Sequence, residues 1–373
     1  MTFQREACLA WLASAELPPE TLRELLEREQ DPVEIYNMFV LNGKLPIDIP
    51  LSGRIQKSLS HNSAESAMND FASCIAQNGI KVMTCFDDCY PRKLTDIPDA
   101  PGILFYQGDL SSLDKNSVSI VGSRNASYKG MDATEKISEK LSLHGITIVS
   151  GLAYGIDSAS HKGCLKGGSP TIAVLGCGLD QNYPAENAGL RNRILLQGGL
   201  VLSEFAPGEK PLARHFPWRN RIISGLGNCI TLMEARIRSG SMTTVQHALN
   251  QGKDVFVYPG EPDNPKFEGN HQLLREGAIY FTSAEDLMED MGWLDKMQDV
   301  RQNKSQTAIQ PQQLTLSETK VIQALENGEL SFDRLCLVTG LPASELNAAL
   351  SVLQIQGLIQ PLPGKTYRYL QGK

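Results

Sequence analysis

The sequence predicts an α/β protein whose mostly parallel sheet is doubly wound, with helices covering both of its faces. Short apolar runs alternate with helical stretches between residues 118 and 257, and each run is apolar almost throughout. Strands of that composition are buried on both faces, as in parallel sheets. Glycines follow soon after these runs, at Gly122, Gly151, Gly176, Gly178, Gly240 and Gly260. In an open α/β sheet, the carboxyl ends of the strands form the ligand-binding edge.

The first 95 residues show helical spacing and little strand signal. A break at residues 17–20, Leu-Pro-Pro-Glu, is followed by Leu22, Leu25 and Leu26 at amphipathic spacing. Another helix is predicted near residues 67–77. We therefore predict a small, all-helical domain over residues 1–95.

The middle of the chain carries the sheet, and we assign residues 96–294 to it. The predicted strands are 118–121, 147–149, 171–175, 200–202, 230–233 and 255–257. The predicted helices lie near residues 132–143, 158–166, 187–197 and 243–250.

The last part of the chain predicts a linker and a third domain. Residues 295–313 are polar and rich in glutamine, which is typical of a flexible linker. Three helices follow, near residues 317–326, 331–339 and 342–356, and a turn at Gly340 suits a helix-turn-helix. The strand-like end turns at residues 363–365, as a wing would. We predict a winged-helix domain over residues 314–373.

Composition favours a cytoplasmic protein without a membrane-spanning segment. The chain has 373 residues, of which 41% are hydrophobic and 21% charged, and no apolar run approaches the length that crosses a bilayer. The N-terminus lacks the basic start of a signal peptide. We expect the eight cysteines to be reduced thiols. Because Cys85 and Cys89 have no second pair nearby, we expect no zinc site. We also predict no cofactor.

Charge is distributed unevenly along the chain. The formal net charge is −7, yet residues 119–260 contain 15 Lys and Arg against 10 Asp and Glu. A basic middle segment therefore lies within an acidic chain, so the total charge is a poor guide to polyanion binding.

The turn after the first predicted strand of the middle segment suggests an anion site. Gly122 permits a tight turn, Ser123 can cap the next helix, and Arg124 supplies a phosphate donor. A dinucleotide site leaves no room for such an arginine and requires an acid about 20 residues further on, which is missing here. A tight structural turn with an exposed arginine is the alternative.

A second candidate stretch, HFPWRNRIISG, occupies residues 215–225. Arginines at 214, 219 and 221 surround Phe216 and Trp218, and Asn220 could bond a base edge. Cations interleaved with aromatic rings are typical of single-strand nucleic-acid sites. The alternative is that the two rings are core and the arginines lie on a solvated face.

Two further stretches follow strands. Ser239, Gly240 and Ser241 offer hydroxyl and backbone N–H groups at a helix start, which suggests a second anion pocket or simply a well-capped helix. Asp157 and His161 are four residues apart, but no third ligand is evident. We interpret Asp157 as a helix cap and His161 as a structural hydrogen-bonding residue, and we predict no catalytic residue.

These motifs together resemble the DNA-processing protein A family (DprA, also called Smf), in the same order and at close spacing. The matching stretches are VGSR (121–124), SGLAYGIDSASH (150–161), AVLGCGLDQNYP (173–184), FPWRNRIISGL (216–226), EARIRSGSMTT (234–244) and VFVYPG (255–260). The resemblance covers about residues 90–286. The ends match only in kind, as a helical, SAM-like N-terminal domain and a winged helix.

The resemblance implies an extended Rossmann-like domain that binds single-stranded DNA without catalysis. It implies a homodimer that protects incoming single strands in natural transformation and helps to load the RecA recombinase onto them. Carried onto this chain, it implies DNA contacts from Gly122, Ser123, Arg124, Arg214, Phe216, Arg219, Asn220, Arg221, Ser239, Gly240 and Ser241.

Two other functions remain open from the sequence. A nucleoside-monophosphate phosphoribohydrolase would show a P-G-G-x-G-T-x-x-E signature, whereas this chain reads SGSMTTVQ, and its acid, Glu234, precedes the turn. A regulator acting through the winged helix would place cations on its recognition helix. The helix predicted over residues 342–356 contains no lysine or arginine.

Overall fold

The computed structural model describes residues 4–47, 50–294, 315–325, 328–355, 358–362 and 365–369. It divides into two compact units, Met1–Gly292 and Trp293–Lys373. The predicted linker, residues 295–313, lies outside the described residues. The predicted domain boundaries within the first unit and around the linker stay predictions.

The N-terminal segment is helical, as its spacing predicts. Its helices are α1 (Arg5–Ser14), α2 (Pro19–Arg28), α3 (Pro32–Asn42), α4 (Gly53–Asn62) and α5 (Glu65–Asn78). Trp11 is fully buried at their centre, where its Nε1 donates to the carbonyl of Leu59 at 3.0 Å. Its ring meets that of Tyr36 edge-on at 5.4 Å. One indole therefore links α1, α3 and α4.

Nine strands of the described chain form one sheet. They are β1 (Lys81–Thr84), β2 (Ile103–Gly108), β3 (Ser117–Val121), β4 (Thr147–Ser150), β5 (Thr171–Leu175), β6 (Leu200–Ser203), β7 (Cys229–Leu232), β8 (Asp254–Val257) and β9 (Ile279–Tyr280). Their order is β1-β2-β6-β5-β4-β3-β7-β8-β9. β3 to β9 run parallel, and β1 and β2 extend the β6 edge in antiparallel pairing. The sequence pattern missed β1, β2 and β9, which extend the two edges of the sheet.

Helices pack on both faces of this sheet. They are α6 (Arg92–Thr95), α7 (Tyr128–Leu143), α8 (Ile156–Gly167), α9 (Ala188–Leu196), α10 (His215–Leu226), α11 (Gly240–Asn250), α12 (Glu268–Arg275) and α13 (Ala284–Asp290). Alternate residues of β5 enter different cores: Ala173 packs with the N-terminal helices, and Val174 packs on the opposite side. Because successive strand residues face opposite ways, this confirms a doubly wound sheet of the Rossmann-like kind.

The strand order reverses between β3 and β7. From β3 the chain builds β4, β5 and β6 on one side, and then crosses to build β7, β8 and β9 on the other. The two connections leave the sheet in opposite directions, so a crevice opens between them at the carboxyl ends of the strands. The glycine-containing turns of the sequence analysis converge on this crevice.

The second unit has the predicted winged-helix elements. Three helices, α14 (Leu316–Leu325), α15 (Phe332–Thr339) and α16 (Ala343–Ile355), pack around a core that includes Leu335 and Leu350. Three short strands, β10 (Leu330–Ser331), β11 (Ile359–Leu362) and β12 (Thr366–Tyr369), form an antiparallel sheet in the order β10-β12-β11. The predicted turn of the wing includes residues 363 and 364, which lie outside the described residues.

Across the parts of the chain that the structure describes, no single helix has the length and apolar composition needed to span a membrane. The helices Phe332–Thr339 and Ala343–Gln354 meet that test only together, as a pair bent by 111°.

Close packing of α7 against α8 depends on glycine. A Cβ on Gly163 of α8 would overlap the carbonyl oxygen of Glu135 and lie 2.8 Å from the Cβ of Ser138, both on α7. Gly189 of α9 is a useful contrast, since a Cβ there would meet no atom within 4 Å.

We therefore expect Gly163→Ala to lower the free energy of unfolding by about 1 to 3 kcal/mol, because the helices must separate. Gly189→Ala should be neutral or stabilising by up to about 1 kcal/mol, because alanine favours helix and has space there. Urea denaturation of the two variants measures the difference. Equal stability of both variants would contradict this account of the α7–α8 contact.

Candidate nucleic-acid interface

The crevice between β3 and β7 is a cleft of about 670 Å³ lined by loops from the strand ends and by α10 and α11. It brings together nine of the eleven residues that the sequence analysis selected: Gly122, Ser123, Arg124, Phe216, Arg219, Asn220, Ser239, Gly240 and Ser241. The other two, Arg214 and Arg221, do not line the cleft.

The ring of Phe216 lies at the centre of a group of cations and aromatics. The guanidinium carbon of Arg124 lies 4.8 Å from the ring centroid, and that of Arg219 lies 6.0 Å away. Tyr183 approaches the same ring with a centroid separation of 5.3 Å. A Cβ on Gly176 would lie 3.0 Å from the ring, so the glycine leaves room for it.

The helix that follows β3 does not present a free anion site, which corrects the sequence-based expectation. Ser127, and not Ser123, caps α7 by accepting from the N–H of Gly130 at 3.0 Å. The fully buried carboxylate of Glu234 already occupies this helix start, accepting from the N–H of Ser127 at 2.9 Å and from its hydroxyl at 2.5 Å. The favourable position for a negative charge is therefore filled by the protein itself.

The start of α11 is open instead. Its N-cap residue, Ser239, makes no side-chain capping bond, and the N–H groups of Gly240 and Ser241 have no hydrogen-bond partner in the described chain. The buried hydroxyl oxygen of Ser239 has none either. Unpaired N–H groups at a helix start attract anions. The second predicted anion pocket is therefore the helix start that stays available.

Two buried groups of opposite charge, Arg219 and Asp157, lie at the floor of the cleft. Arg219 is only 3% exposed, and it donates to the carbonyls of Gly151, at 3.0 Å, and Val174. A Cβ on Gly151 would lie 2.7 Å from both the Arg219 guanidinium and the Asp157 carboxylate, so this position has no room for a side chain. Burial lowers the pKa of Arg219 to about 10, which keeps it cationic at neutral pH. Burial raises the pKa of Asp157, and the Arg219 charge opposes that rise.

Arg221 is a structural residue that faces away from the cleft. Its side chain is 1% exposed and forms two hydrogen bonds with the carboxylate of Glu204, at 2.8 and 2.5 Å. It also donates to the carbonyl of Asp99 at 2.8 Å and lies 4.1 Å from the ring of Trp218. Residues 219 and 221 are about 200° apart around α10, so they cannot share one pocket. The expectation that Arg221 lines the cleft is therefore wrong.

Arg214 lies outside the candidate cleft, whereas Asn220 lies within it. Arg214 forms an ion pair with Glu16 of the N-terminal segment at 2.7 Å and lines a different cleft. Asn220 lines the candidate cleft, and its amide donates to the carbonyl of Gly240 at 3.4 Å, which links α10 to α11.

Asp157 and His161 have the structural character expected of them, although Asp157 does not act as the cap itself. His161 is fully buried, with its Nδ1 2.8 Å from Thr171 Oγ1, and burial lowers its pKa to about 3. Asp157 accepts from the N–H of Ala153 at 3.3 Å, while the cap residue of α8 is Gly155.

The sequence analysis missed Tyr183 as a component of the cleft. This side chain is 39% exposed and extends the aromatic surface of Phe216. Its position in a loop that follows a buried strand was the available signal, since an aromatic residue there is not needed for the core.

Replacing Arg221 with alanine leaves the Glu204 carboxylate, which is 18% exposed, without its cation. We expect the free energy of unfolding to fall by about 3 to 5 kcal/mol, because an unpaired charge stays largely buried. Arg124→Ala is the control and should change it by less than about 1 kcal/mol, since it loses only an exposed cation–π contact. Urea denaturation measures the stability of both variants. An Arg221→Ala variant as stable as the natural protein would refute the structural role assigned to Arg221.

Known families match most of the chain. Residues 81–292 match the family profile described as DNA recombination-mediator protein A, and residues 305–365 match the DprA winged helix domain. DNA processing protein DprA of Streptococcus pneumoniae is 47% identical over 204 residues, 55% of this chain and 72% of that protein. Protein Smf of Escherichia coli K12 is 38% identical over 276 residues, 74% of each chain.

Solved structures agree with this assignment. The X-ray structure of DprA from Streptococcus pneumoniae aligns with a TM-score of 0.62 and 35% identity, covering 75% of this chain and 95% of that one. DprA from Helicobacter pylori, described as having a unique single-stranded DNA binding mode, aligns with a TM-score of 0.52 and 28% identity over 57% and 97% of the two chains. The protein therefore belongs to the DNA recombination-mediator protein A (DprA/Smf) family, whose members act in DNA processing and recombination.

Proposed function

We propose that the chain binds single-stranded DNA in the cleft between β3 and β7, without cleaving it. The observation that carries this proposal is a convergence of two groups in one cleft. An exposed arginine, Arg124, lies against the ring of Phe216, and the uncapped start of α11 opens beside them. The described binding mode of the Helicobacter pylori relative supports the same class of ligand.

One phosphate would lie between Arg124 and the start of α11. Arg124 makes no hydrogen bond or ion pair with the described chain, so its donors are available. The N–H groups of Gly240 and Ser241 would supply further donors, and the buried cation of Arg219 would add positive potential from below. Such contacts hold a strand without reading its sequence.

Bases would stack on the aromatic surface of Phe216 and Tyr183. Both rings line the cleft, and an unpaired base offers a flat face to each of them. Bases in a duplex are already stacked on their neighbours and are not free for such contacts. The arrangement therefore favours single strands over duplex.

The winged helix is a weaker candidate for the principal DNA site. Its α16, residues 343–355, occupies the place of a recognition helix and contains no lysine or arginine. Recognition helices usually bind phosphates and guanines through lysine and arginine, which this helix lacks.

A non-catalytic role fits the chemistry of the cleft better than nucleotide hydrolysis. Glu234, the acid nearest the α11 turn in sequence, is committed to capping α7. Asp157 is buried against Arg219. Neither carboxylate is free to activate water, which argues against the phosphoribohydrolase alternative.

We further propose that the protein acts in the cytoplasm as a homodimer that protects incoming single strands and helps to load RecA onto them. Family membership supports this proposal, and two clefts per dimer would raise the effective affinity for a long strand. Analytical ultracentrifugation measures the association state directly, and a monomer at micromolar concentration would contradict the dimer.

We expect fluorescence anisotropy to detect tight, salt-dependent binding to labelled oligo-dT and weaker binding to its duplex. Arg124→Ala should weaken single-strand binding about tenfold and reduce the slope of log affinity against log salt by about 1, because one phosphate contact is lost. Phe216→Leu should weaken binding by roughly 1 to 3 kcal/mol, because it retains apolar volume but loses the stacking face.

The matched control is Arg193→Ala, which removes the same charge from an exposed position on α9, away from the cleft residues. It should bind almost as the natural protein does. If Arg124→Ala and Phe216→Leu bind no worse than this control, the cleft is not the DNA site. An activity screen on nucleoside monophosphates then tests the enzyme alternative.

RecA loading is tested with single strands already coated by a single-strand binding protein. The natural chain should shorten the lag before RecA hydrolyses ATP on the coated strand, and Arg124→Ala should lose this effect in proportion to its lost affinity. A chain that binds the strand normally yet leaves the lag unchanged would refute the RecA role and leave DNA binding intact.

A further inference from the structure

Three potential metal ligands meet outside the nucleic-acid cleft. One carboxylate oxygen each from Glu16 and Glu209 and one ring nitrogen of His215 all lie within 4.8 Å of one another. Glu16 follows α1, Glu209 follows β6, and His215 is the first residue of α10. Glu209 and His215 are close in sequence, but Glu16 belongs to the distant N-terminal segment, so no ligand spacing could reveal the whole group.

His215 is the residue that points to a ligand. Its side chain is 3% exposed and stacks on Phe205 at 4.1 Å, yet neither ring nitrogen has a hydrogen-bond partner in the described chain. Its Nε2 lies 3.5 Å from Glu16 Oε1, which is longer than an ordinary hydrogen bond. A neutral imidazole with an unused nitrogen is the form that binds metal.

The two glutamates bring negative charge without a full set of partners. The carboxylate of Glu209 makes no hydrogen bond or ion pair with the described chain, and it lies near the carboxylate of Glu16. Glu16 pairs with Arg54 at 2.8 Å and Arg214 at 2.7 Å, but those arginines are 72% and 53% exposed. Exposed ion pairs of this kind contribute little to stability. A divalent ion can therefore replace the two arginines as the partner of Glu16.

We propose that Glu16, Glu209 and His215 bind one divalent transition-metal ion of the Zn²⁺ or Mn²⁺ class. An imidazole nitrogen with two carboxylates suits these ions better than Ca²⁺ or Mg²⁺, which prefer oxygen ligands alone. Metal bonds of about 2.1 Å require the three donors to approach one another further. Rotation of the two glutamate side chains provides that movement.

The ion would fasten the N-terminal helical segment to the helix that carries the cleft residues. Glu16 belongs to the former, and His215 directly precedes Phe216 on α10. A bound ion would therefore restrain the start of α10 and replace two weak ion pairs with a stronger link. The proposed site differs from the sequence-based expectation of no metal.

The test is a titration of Mn²⁺ followed by the electron paramagnetic resonance signal of the free ion. Mn²⁺ is chosen because the eight cysteine thiols are poor ligands for it. The natural chain should bind one equivalent, and Glu209→Gln should weaken that binding at least about tenfold, since even loss of an outer-shell partner costs that much. Glu20→Gln is the matched control, because Glu20 lines the same cleft as Glu16 and His215 but is not one of the three ligands.

Without metal, Glu209→Gln should unfold at the same temperature as the natural chain or slightly above it, because its carboxylate has no partner to lose and lies near the Glu16 carboxylate. With saturating Mn²⁺, only the natural chain and Glu20→Gln should gain thermal stability. Failure of the natural chain to bind Mn²⁺, or equal binding by Glu209→Gln, would overturn the site. Because none of the three ligands lines the nucleic-acid cleft, these outcomes are separate from the test of DNA binding.

Discussion

The candidate cleft depends on one buried residue, Glu234, which connects the two loops that diverge at the reversal of strand order. Its carbonyl accepts from the N–H of Ser123 at 2.7 Å, and its carboxylate holds the start of α7 through Ser127. These bonds set the path of the loop that carries Arg124. Because the carboxylate neutralises the α7 start, the uncapped start of α11 is the place that we propose for an external anion.

Three arginines of this region have different roles because each one has a different environment. Arg219 faces the sheet and is held by the carbonyls of Gly151 and Val174. Arg221 faces the opposite way and anchors α10 through Glu204. Arg124, on a loop, keeps its donors available. A buried cation fixes geometry and potential, whereas an exposed cation can exchange water for phosphate, so these side chains are not interchangeable.

Much of the fold could be predicted because local patterns and burial agree. The apolar runs at residues 118–121 and 171–175 are buried strands, and the helical spacing of the first 80 residues is observed as five helices. The edge strands β1 and β9 escaped prediction because short edge strands lack a continuous apolar run. Local sequence patterns also could not predict the reversal of strand order, because it depends on pairing between strands that are distant in sequence.

For the site, the sequence by itself determined which chemistry is present: glycine turns after strands, arginines beside aromatics, and a family pattern that joins them. Only the tertiary structure decided which of these groups are available. It buried Arg221 against Glu204, filled the α7 start with Glu234, and brought Tyr183 beside Phe216. The physical reason is that exposure and pairing depend on neighbours from distant segments, which a linear pattern of residue types does not specify.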